Sequence, residues 1–249
     1  MLNYIKADLN RIINKKSFLY VTLGYLLLFL IMMFIIYTPN FNGIEYISKT
    51  EAFLEFYPIV IGIPIFLSVY YDDFKSKSMQ IAIGYGIPRY KVVLSKVIES
   101  ILLSIVIGFI FGILILSIPI VLKIQFTGAE IIEAILDIVI STLKIVGYLS
   151  ISSILVYTAQ NAVIGIVGYL LLTSNIIFII LTLILGQSFI INTFGDLSKY
   201  LYTLILYSVK NIFIQNGSFN LINFMGIAIY IIIPVMISII LFKKKELEF

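Results

Sequence analysis

Long apolar runs divide this sequence, and they limit what it can fold into. The first, 18–37, has 20 residues without a charge, and about 20 helical residues cross a hydrocarbon core about 30 Å thick. Five further runs predict spans at 56–71, 97–121, 131–157, 162–185 and 221–242. Because only 12% of the residues are charged, against about 25% in soluble domains, we expect one all-α integral membrane domain over 1–249.

The segment 1–17 before the first span is too polar to cross a membrane. On a helix, one face would carry the apolar residues Leu2, Ile5, Leu9, Ile12 and Ile13. The other face would carry Asp8, Arg11, Asn14 and Lys15. This pattern predicts an amphipathic helix lying in the membrane interface. The run 18–37 is too long for the apolar part of a signal peptide and no small-residue cleavage site follows it, so we expect it to be retained.

Three other segments have distinct predictions. Residues 38–55 form a polar loop rich in glutamate, and Pro58 and Pro64 predict a kink in the second span. Residues 186–220 contain a short apolar run interrupted by Lys210. We expect one or two helices there, lying in or dipping into the outer interface.

The basic residues predict which side of the membrane each segment faces. With the N-terminus inside, the inner segments hold 12 of the 17 Lys and Arg residues. They are Lys6, Arg11, Lys15, Lys16, Lys75, Lys77, Arg89, Lys91, Lys96, Lys243, Lys244 and Lys245. By the positive-inside rule, this asymmetry predicts six spans with both termini cytosolic.

Two polar patterns lie within the predicted spans. In the third span a small residue recurs at every fourth position, which predicts a helix-packing seam, because small residues let helices approach closely in lipid. Its members are Ser100, Ser104, Gly108 and Gly112. In the fifth span Asn175 belongs to a similar polar and small-residue face, for which packing and a ligand path are both open.

The fourth span carries a polar stripe on one helical face. Its members inside the span include Asp137, Ser141, Lys144 and Tyr148. A lysine near mid-membrane costs at least about 2.5–3.5 kcal/mol, so Lys144 must face protein, water or a counter-ion. Two interpretations are open: a substrate path or dimer interface, and an internal ion pair of Lys144 with a carboxylate or with backbone carbonyls.

Composition excludes several kinds of chemistry. The chain has no His and no Cys, so it lacks the side chains of imidazole- or thiolate-based metal sites and catalysis. It also lacks GxxxxGK[ST], the phosphate-binding loop. We therefore expect no catalytic residue, no metal site, no cofactor bound by this chain and no nucleic-acid partner.

The segment DFKSKSMQIAIGYGIPRYKVVLSKVI, 73–98, interrupts the apolar runs and resembles the first cytosolic loop of ABC-2-type ABC-transporter permeases. The matching positions are Asp73, Phe74, Gly86, Arg89, Ser95 and Lys96. Pro88 departs from the usual residue before Arg, but proline suits the first turn of a helix. The resemblance in motif covers about 25 residues, and the predicted span plan matches the family over nearly the whole chain.

The resemblance implies that 72–96 is a coupling loop docked on a separate cytosolic ATPase. Met79, Ile81, Ala82 and Ile83 would fill a groove, and Gly86 would form a tight turn. Arg89 and Lys91 would cap that turn, or pair with acidic groups of the ATPase or with anionic lipid. The residues expected to couple the ATPase are Asp73, Phe74, Met79, Ile83, Gly86, Arg89 and Lys96.

The same resemblance implies the wider system. Two copies of an ATPase would hold ATP and Mg²⁺, and the chain would pair with itself or with a sister permease in a bacterial cytoplasmic membrane. Permeases of this kind resemble those of lantibiotic immunity and phenol-soluble-modulin export, which implies an amphipathic or antimicrobial peptide as substrate. Two alternatives remain open: a non-transporting assembly factor or sensor, and an ion-coupled transporter that uses Asp137 and Lys144.

Overall fold

The computed structural model describes residues 1–39 and 41–245 and is almost entirely helical there. Helices account for 85% of the chain and no strand is present in the described part, which confirms the all-α prediction. Asn40, in the predicted 38–55 loop, and 246–249, at the predicted cytosolic end, lie outside the described residues.

Seven helices form the first half of the chain. They are α1 (Leu2–Ile13), α2 (Lys16–Ile36), α3 (Gly43–Leu54), α4 (Tyr57–Phe66), α5 (Asp72–Lys75), α6 (Ser78–Gly84) and α7 (Arg89–Val121). One π-helical turn, Leu67–Tyr71, joins α4 to α5 without a break. Such turns accommodate a residue that interrupts the α-helical hydrogen-bond ladder, and here the turn follows Pro64 inside α4.

Six helices and a short 3₁₀ turn form the second half. They are α8 (Gly128–Ala159), α9 (Ala162–Thr173), α10 (Ile176–Leu185), α11 (Ser188–Phe194), the turn Ser198–Tyr200, α12 (Tyr202–Asn216) and α13 (Leu221–Lys244). Thr127 and Glu130 cap the start of α8 reciprocally, which satisfies two backbone donors that the first turn leaves unpaired.

Five helical segments of the described chain are long and apolar enough to cross a membrane. They are Lys16–Ile36, Gly43–Lys75, Arg89–Val121, Gly128–Ala159 and Leu221–Lys244. A sixth is possible if α9 and α10, which meet at an angle of 59°, count as one broken span. These helices indicate a membrane protein.

The polar loop predicted over 38–55 is wrong, because most of it is helix α3. Asn42 caps α3 by accepting a hydrogen bond from the Glu45 backbone amide at 2.9 Å. The buried side chains then follow helical spacing: Tyr46, Ile47, Thr50 and Leu54. The glutamates lie between these buried positions, so the segment is an amphipathic helix. Its charge had led to the prediction of a loop.

Helix α8 is the centre of the bundle. It packs against α3, α4, α7, α9, α12 and α13, and 67% of its most apolar window is buried, against 17% for α2. A large aromatic cluster fills the space between α2, α3, α4 and α7. It contains Tyr25, Phe29, Phe53, Tyr57 and Phe111.

Candidate functional site

The loop 72–88 forms a folded structure at one end of the bundle, called here the loop end. Helices α5 and α6 are joined through Lys77, which adopts a left-handed conformation with φ 55°. Gly86 ends the loop with φ 89°, a conformation that only glycine adopts without strain. Met79 and Ala82 are buried against the bundle, so one face of α6 is anchored to it.

The opposite face of α6 is apolar and exposed. Ile81 is 55% exposed and Tyr85, just after the helix, is 87% exposed. Ile83 and Phe74, both predicted to couple an ATPase, are partly buried and pack against the protein's own core. The exposed large apolar side chains of this segment are therefore Ile81, which was predicted to fill a groove, and Tyr85, which was not among the predicted coupling residues.

Beneath the loop lies the Lys96 cluster, defined by Asp8, Arg11, Asp73, Lys96 and Glu99. The Lys96 ammonium contacts carboxylates of all three acidic residues, with Glu99 Oε2 at 3.0 Å. Asp73, Lys96 and Glu99 have fully buried side chains. Arg11 Nη2 donates to Asp73 Oδ1 at 2.6 Å, so α1, α5 and α7 are joined at one point.

Two residues of the predicted polar face of α1, Asp8 and Arg11, contact this cluster, although the apolar face is partly buried as well. Asp8 contacts both Lys96 and Arg11, and the Arg11 guanidinium also donates to the Ser68 carbonyl at 3.2 Å. Ile5 and Ile12 are buried, but Leu2 is 81% exposed. Helical spacing predicts which residues of α1 share a face. It does not predict which charged residues of other helices they contact.

Nearby charges shift the pKa of Arg11, whereas burial shifts that of Tyr4. Burial alone would lower the pKa of Arg11, but Asp73 and Asp8 outweigh it and raise that pKa above its usual value. Burial also raises the pKa of Tyr4, whose ring lies 5.0 Å from the Lys96 ammonium. Arg11 therefore stays a cation, with 40% of its side chain exposed at the edge of the cluster.

Arg89 belongs to a different part of the loop end. Its guanidinium lies 5.8 Å from the Phe242 ring and donates to the backbone carbonyls of Phe242 (3.0 Å), Lys243 (3.3 Å) and Lys245. These are carbonyls that a helix end leaves unpaired. Arg89 therefore caps the C-terminal end of α13. The sequence had instead suggested that it caps the glycine turn or pairs with acidic groups of an ATPase or with anionic lipid.

A second charged site, the Lys210 cluster, lies among α3, α8 and α12 near the other end of the bundle. The Lys210 ammonium contacts Asp137 Oδ1 at 2.6 Å, Glu51 Oε1 at 3.1 Å and Glu133 Oε1 at 3.2 Å. Burial alone would lower the pKa of Lys210, but the hydrogen bond and charge of Asp137 outweigh it and raise that pKa. Asp137 thus pairs with Lys210, and Lys144 does not pair with it.

The other residues of the fourth-span stripe are distributed around this cluster. Lys144 Nζ donates to the Tyr207 hydroxyl at 3.3 Å and lies 4.8 Å from that ring. Ser141 and Lys144 line a cavity of about 20 Å³ beside Asp137. Tyr148 shares a 2.7 Å hydrogen bond with Thr203 of α12. The stripe is therefore largely the packing face for α12.

Asn175 is outside this site. It lies at the break between α9 and α10, exposed, with φ 59°. Asparagine is among the few residues that enter the left-handed region readily. Its structural effect is to end α9 and redirect α10.

The small residues of the third span contact neighbours as follows. A methyl group placed on Gly108 would lie 2.5 Å from the Thr142 hydroxyl, and one on Gly112 would lie 3.7 Å from the Ile138 side chain. Ser100 and Ser104 donate back to carbonyls of their own helix at 2.8 and 2.7 Å. The glycines thus let α7 approach α8 closely.

Two of the grooves on the described part of the chain lie near these sites. An apolar one of 460 Å³ runs between α7 and α8 past Gly108 and Gly112. A polar one of 560 Å³ opens at the loop end between Lys77, Gln80, Asn161 and Lys245. Within residues 1–39 and 41–245, no group of three or more His, Cys, Asp or Glu residues is arranged to hold a metal ion.

Comparison with known proteins gives no relative. No protein-family model matches the chain, and no curated protein or solved structure matches it either. The geometry of the loop end and of the two charged clusters is therefore the basis for assigning a function.

Proposed function

We propose that this chain is the transmembrane subunit of an ATP-driven exporter of the ABC-2 type. It would cross a bacterial cytoplasmic membrane six times with both ends cytosolic. It would work as a pair with itself or a sister permease, driven by two copies of a separate ATPase. The observation that carries the proposal is α6: a short helix buried on one face and exposed on an apolar other face.

The exposed side of α6 is the surface we assign to the ATPase. Ile81 and Tyr85 stand out from a loop that also carries exposed Lys75 and Lys77. Exposed aromatic and aliphatic side chains on a short rigid helix are well suited to fill a groove of a partner. Met79 and Ala82, buried against the bundle, would keep α6 from moving independently of it.

If the ATPase moves α6, a rigid connection must transmit that movement to the spans. In this proposal the Lys96 cluster is that connection. It ties Asp73, at the start of the loop, to the first turns of α7 and to α1. Because the side chains of Asp73, Lys96 and Glu99 are fully buried, separating the charges of this cluster is costly. We therefore assign Asp73 and Lys96 to holding the loop, and not to contacting the ATPase.

The substrate we favour is an amphipathic or antimicrobial peptide, which the family resemblance implies. Such a molecule would enter from the lipid, and the chain offers apolar surface on α2, α7 and α13 for that encounter. The alternative of an ion-coupled transporter rested on Asp137 and Lys144 acting together. The structure gives those two residues different partners, Lys210 and Tyr207, which weakens that alternative.

The proposal is tested by two neighbouring glycines of the loop. Gly86 has φ 89°, whereas Gly84 has no unusual φ, and a methyl group added to either would meet nothing within 4 Å. Gly86→Ala should cost about 1–2 kcal/mol of backbone strain and distort the presentation of α6. Gly84→Ala is the matched control.

The measurement is copurification of the chain from its native membrane, together with ATP-dependent efflux of a cationic amphipathic peptide. We expect Gly86→Ala to lose most of the associated ATPase and of the efflux, while Gly84→Ala keeps both. A wild-type chain that copurifies with no protein carrying a phosphate-binding loop would refute the proposal.

A further inference from the structure

The Lys210 cluster is built like a binding site for an ammonium group. The ammonium group that it holds is that of Lys210 itself. A primary ammonium group has three donors and no acceptor. The cluster surrounds the Lys210 ammonium with three carboxylate oxygens at 2.6, 3.1 and 3.2 Å. Each carboxylate belongs to a different residue, so the three donors are matched by three independent acceptors.

The charges of the cluster do not balance. Glu51, Glu133 and Asp137 carry three negative charges against one positive charge of Lys210. Adding Glu55 and Lys144, which line the adjoining cavity, leaves the same surplus of two negative charges. A surplus of negative charge of this size favours binding of a further cation.

Asp137 provides a second and separate indication. Its side chain is 7% exposed, and its Oδ2 atom is buried without a hydrogen-bond partner in the structure. A buried carboxylate oxygen without a donor is costly. Asp137 lines the cavity of about 20 Å³ beside the cluster, which is room for about one water-sized group.

The site is accessible from outside the bundle. Lys210, which fills it in this structure, lies on a different helix from the three carboxylates. The side chains of Glu51 and Glu133 are 47% and 33% exposed, so an external cation can reach two of the three carboxylates. The carboxylates belong to α3 and α8, whereas Lys210 belongs to α12. Helix α12 ends at Gly217, whose φ is 65°, and is not among the candidate spans.

We infer that the carboxylates of Glu51, Glu133 and Asp137 form a binding site for a primary ammonium group, and that Lys210 is its exchangeable internal occupant. The external ligand is a primary alkylammonium, carried either by a small amine or by a lysine-containing peptide. Binding of that ligand would release α12 from α3 and α8. This inference does not depend on the proposed function.

The test is chemical rescue in purified protein. Lys210→Ala should lower the melting temperature by about 4 °C or more, because it leaves buried carboxylate oxygens unpaired. Added n-butylammonium should restore at least half of that loss, and tetramethylammonium, which has no N–H donor, should restore none. Rescue by Nα-acetyl-lysine amide as well would identify a peptide-borne ammonium as a ligand, and rescue by n-butylammonium alone a free amine.

Three controls make the result specific. Lys199→Ala, at an exposed lysine shortly before α12, should neither destabilise the protein nor respond to amines. Lys210→Ala combined with Asp137→Asn should lose the rescue. Equal rescue by tetramethylammonium, or no rescue of a folded Lys210→Ala protein, would overturn the inference.

If Lys210→Ala does not fold, the wild-type protein decides the question by hydrogen exchange. Displacement of Lys210 predicts that n-butylammonium speeds amide exchange over 202–216 severalfold, whereas tetramethylammonium does not. Unchanged exchange over that segment would overturn the inference.

Discussion

At the scale of single residues, Lys96 holds together carboxylates from three helices. Asp8 comes from α1, Asp73 from α5 and Glu99 from α7 itself. A buried ion pair adds little net stability compared with apolar packing, but removing one partner leaves the other charge buried and alone. The value of the cluster is therefore that it fixes the relative position of three elements.

Lys96→Met should destabilise the protein by about 3–5 kcal/mol, because it leaves Asp73 and Glu99 buried without their cation. Lys75→Met, at an exposed lysine of the same segment, should change stability by less than about 0.5 kcal/mol. Thermal unfolding in detergent micelles measures both. Equal stability of the two variants would mean that the cluster does not hold the loop.

Gly62 marks another close contact, between α4 and α9. A methyl group placed there would lie 1.6 Å from the hydroxyl oxygen of Tyr169, which donates to the Pro58 carbonyl at 2.6 Å. Gly62→Ala should therefore cost about 1–3 kcal/mol through overpacking. Gly24→Ala, where nothing lies within 4 Å, should be neutral or stabilising by up to about 1 kcal/mol.

Both variants are compared by thermal unfolding, with Gly62→Ala/Tyr169→Phe as a third. Removing the hydroxyl oxygen should recover part of the loss, since the two changes act on one contact and are not additive. A Gly62→Ala protein as stable as Gly24→Ala would contradict the α4–α9 packing.

At the scale of elements, Arg89 connects the beginning of α7 to the end of α13. One side chain thus joins the loop 72–88 to the last long helix, through the carbonyls of Phe242, Lys243 and Lys245. Hydrogen bonds from a charged donor contribute about 1.5–3 kcal/mol. The end of α13 should therefore fray when the guanidinium is removed.

Arg89→Met should speed amide exchange over 236–245 by roughly tenfold or more, because the last turn of α13 loses its cap. Lys91→Met removes a neighbouring charge and should leave exchange in that segment unchanged. Hydrogen exchange followed by mass spectrometry measures both. Identical exchange in the Arg89→Met and wild-type proteins would show that Arg89 does not cap α13.

The positions of the helices were largely predictable from sequence where a long uncharged or apolar run marked them. The uncharged run 18–37 corresponds to α2, and the apolar runs 97–121 and 131–157 lie within α7 and α8. The prediction failed for α3, whose glutamates alternate with its buried side chains. It also missed the break at Asn175, because hydropathy over 162–185 does not report backbone conformation.

The charged clusters were predictable only in part. The sequence showed that Lys144 and Asp137 share one helical face, but their partners come from helices distant in sequence. Asp137 is bound by Lys210, which had appeared only as an interruption of an apolar run. Lys96 likewise depends on Asp8, 88 residues earlier, and spacing within one helix carries no information about such pairs.

At the scale of the whole molecule, the two charged clusters lie toward opposite ends of a bundle centred on α8. The Lys96 cluster joins the loop to α1 and α7, and the Lys210 cluster joins α12 to α3 and α8. In the proposed exporter, the first transmits movement from the ATPase and the second holds the outer helix α12. Each cluster includes ion pairs between different elements, so each connects those elements.

Photocrosslinking tests whether the exposed face of α6 binds an ATPase. A photoreactive residue replaces Tyr85, which is 87% exposed at the loop end, or Ile120, which is 79% exposed near the other end of α7. After irradiation of native membranes, crosslinked partners are identified by mass spectrometry. We predict that position 85 captures a protein with a phosphate-binding loop and that position 120 does not. If no such protein is captured at position 85, or if both positions capture it equally, the exposed face of α6 does not bind an ATPase.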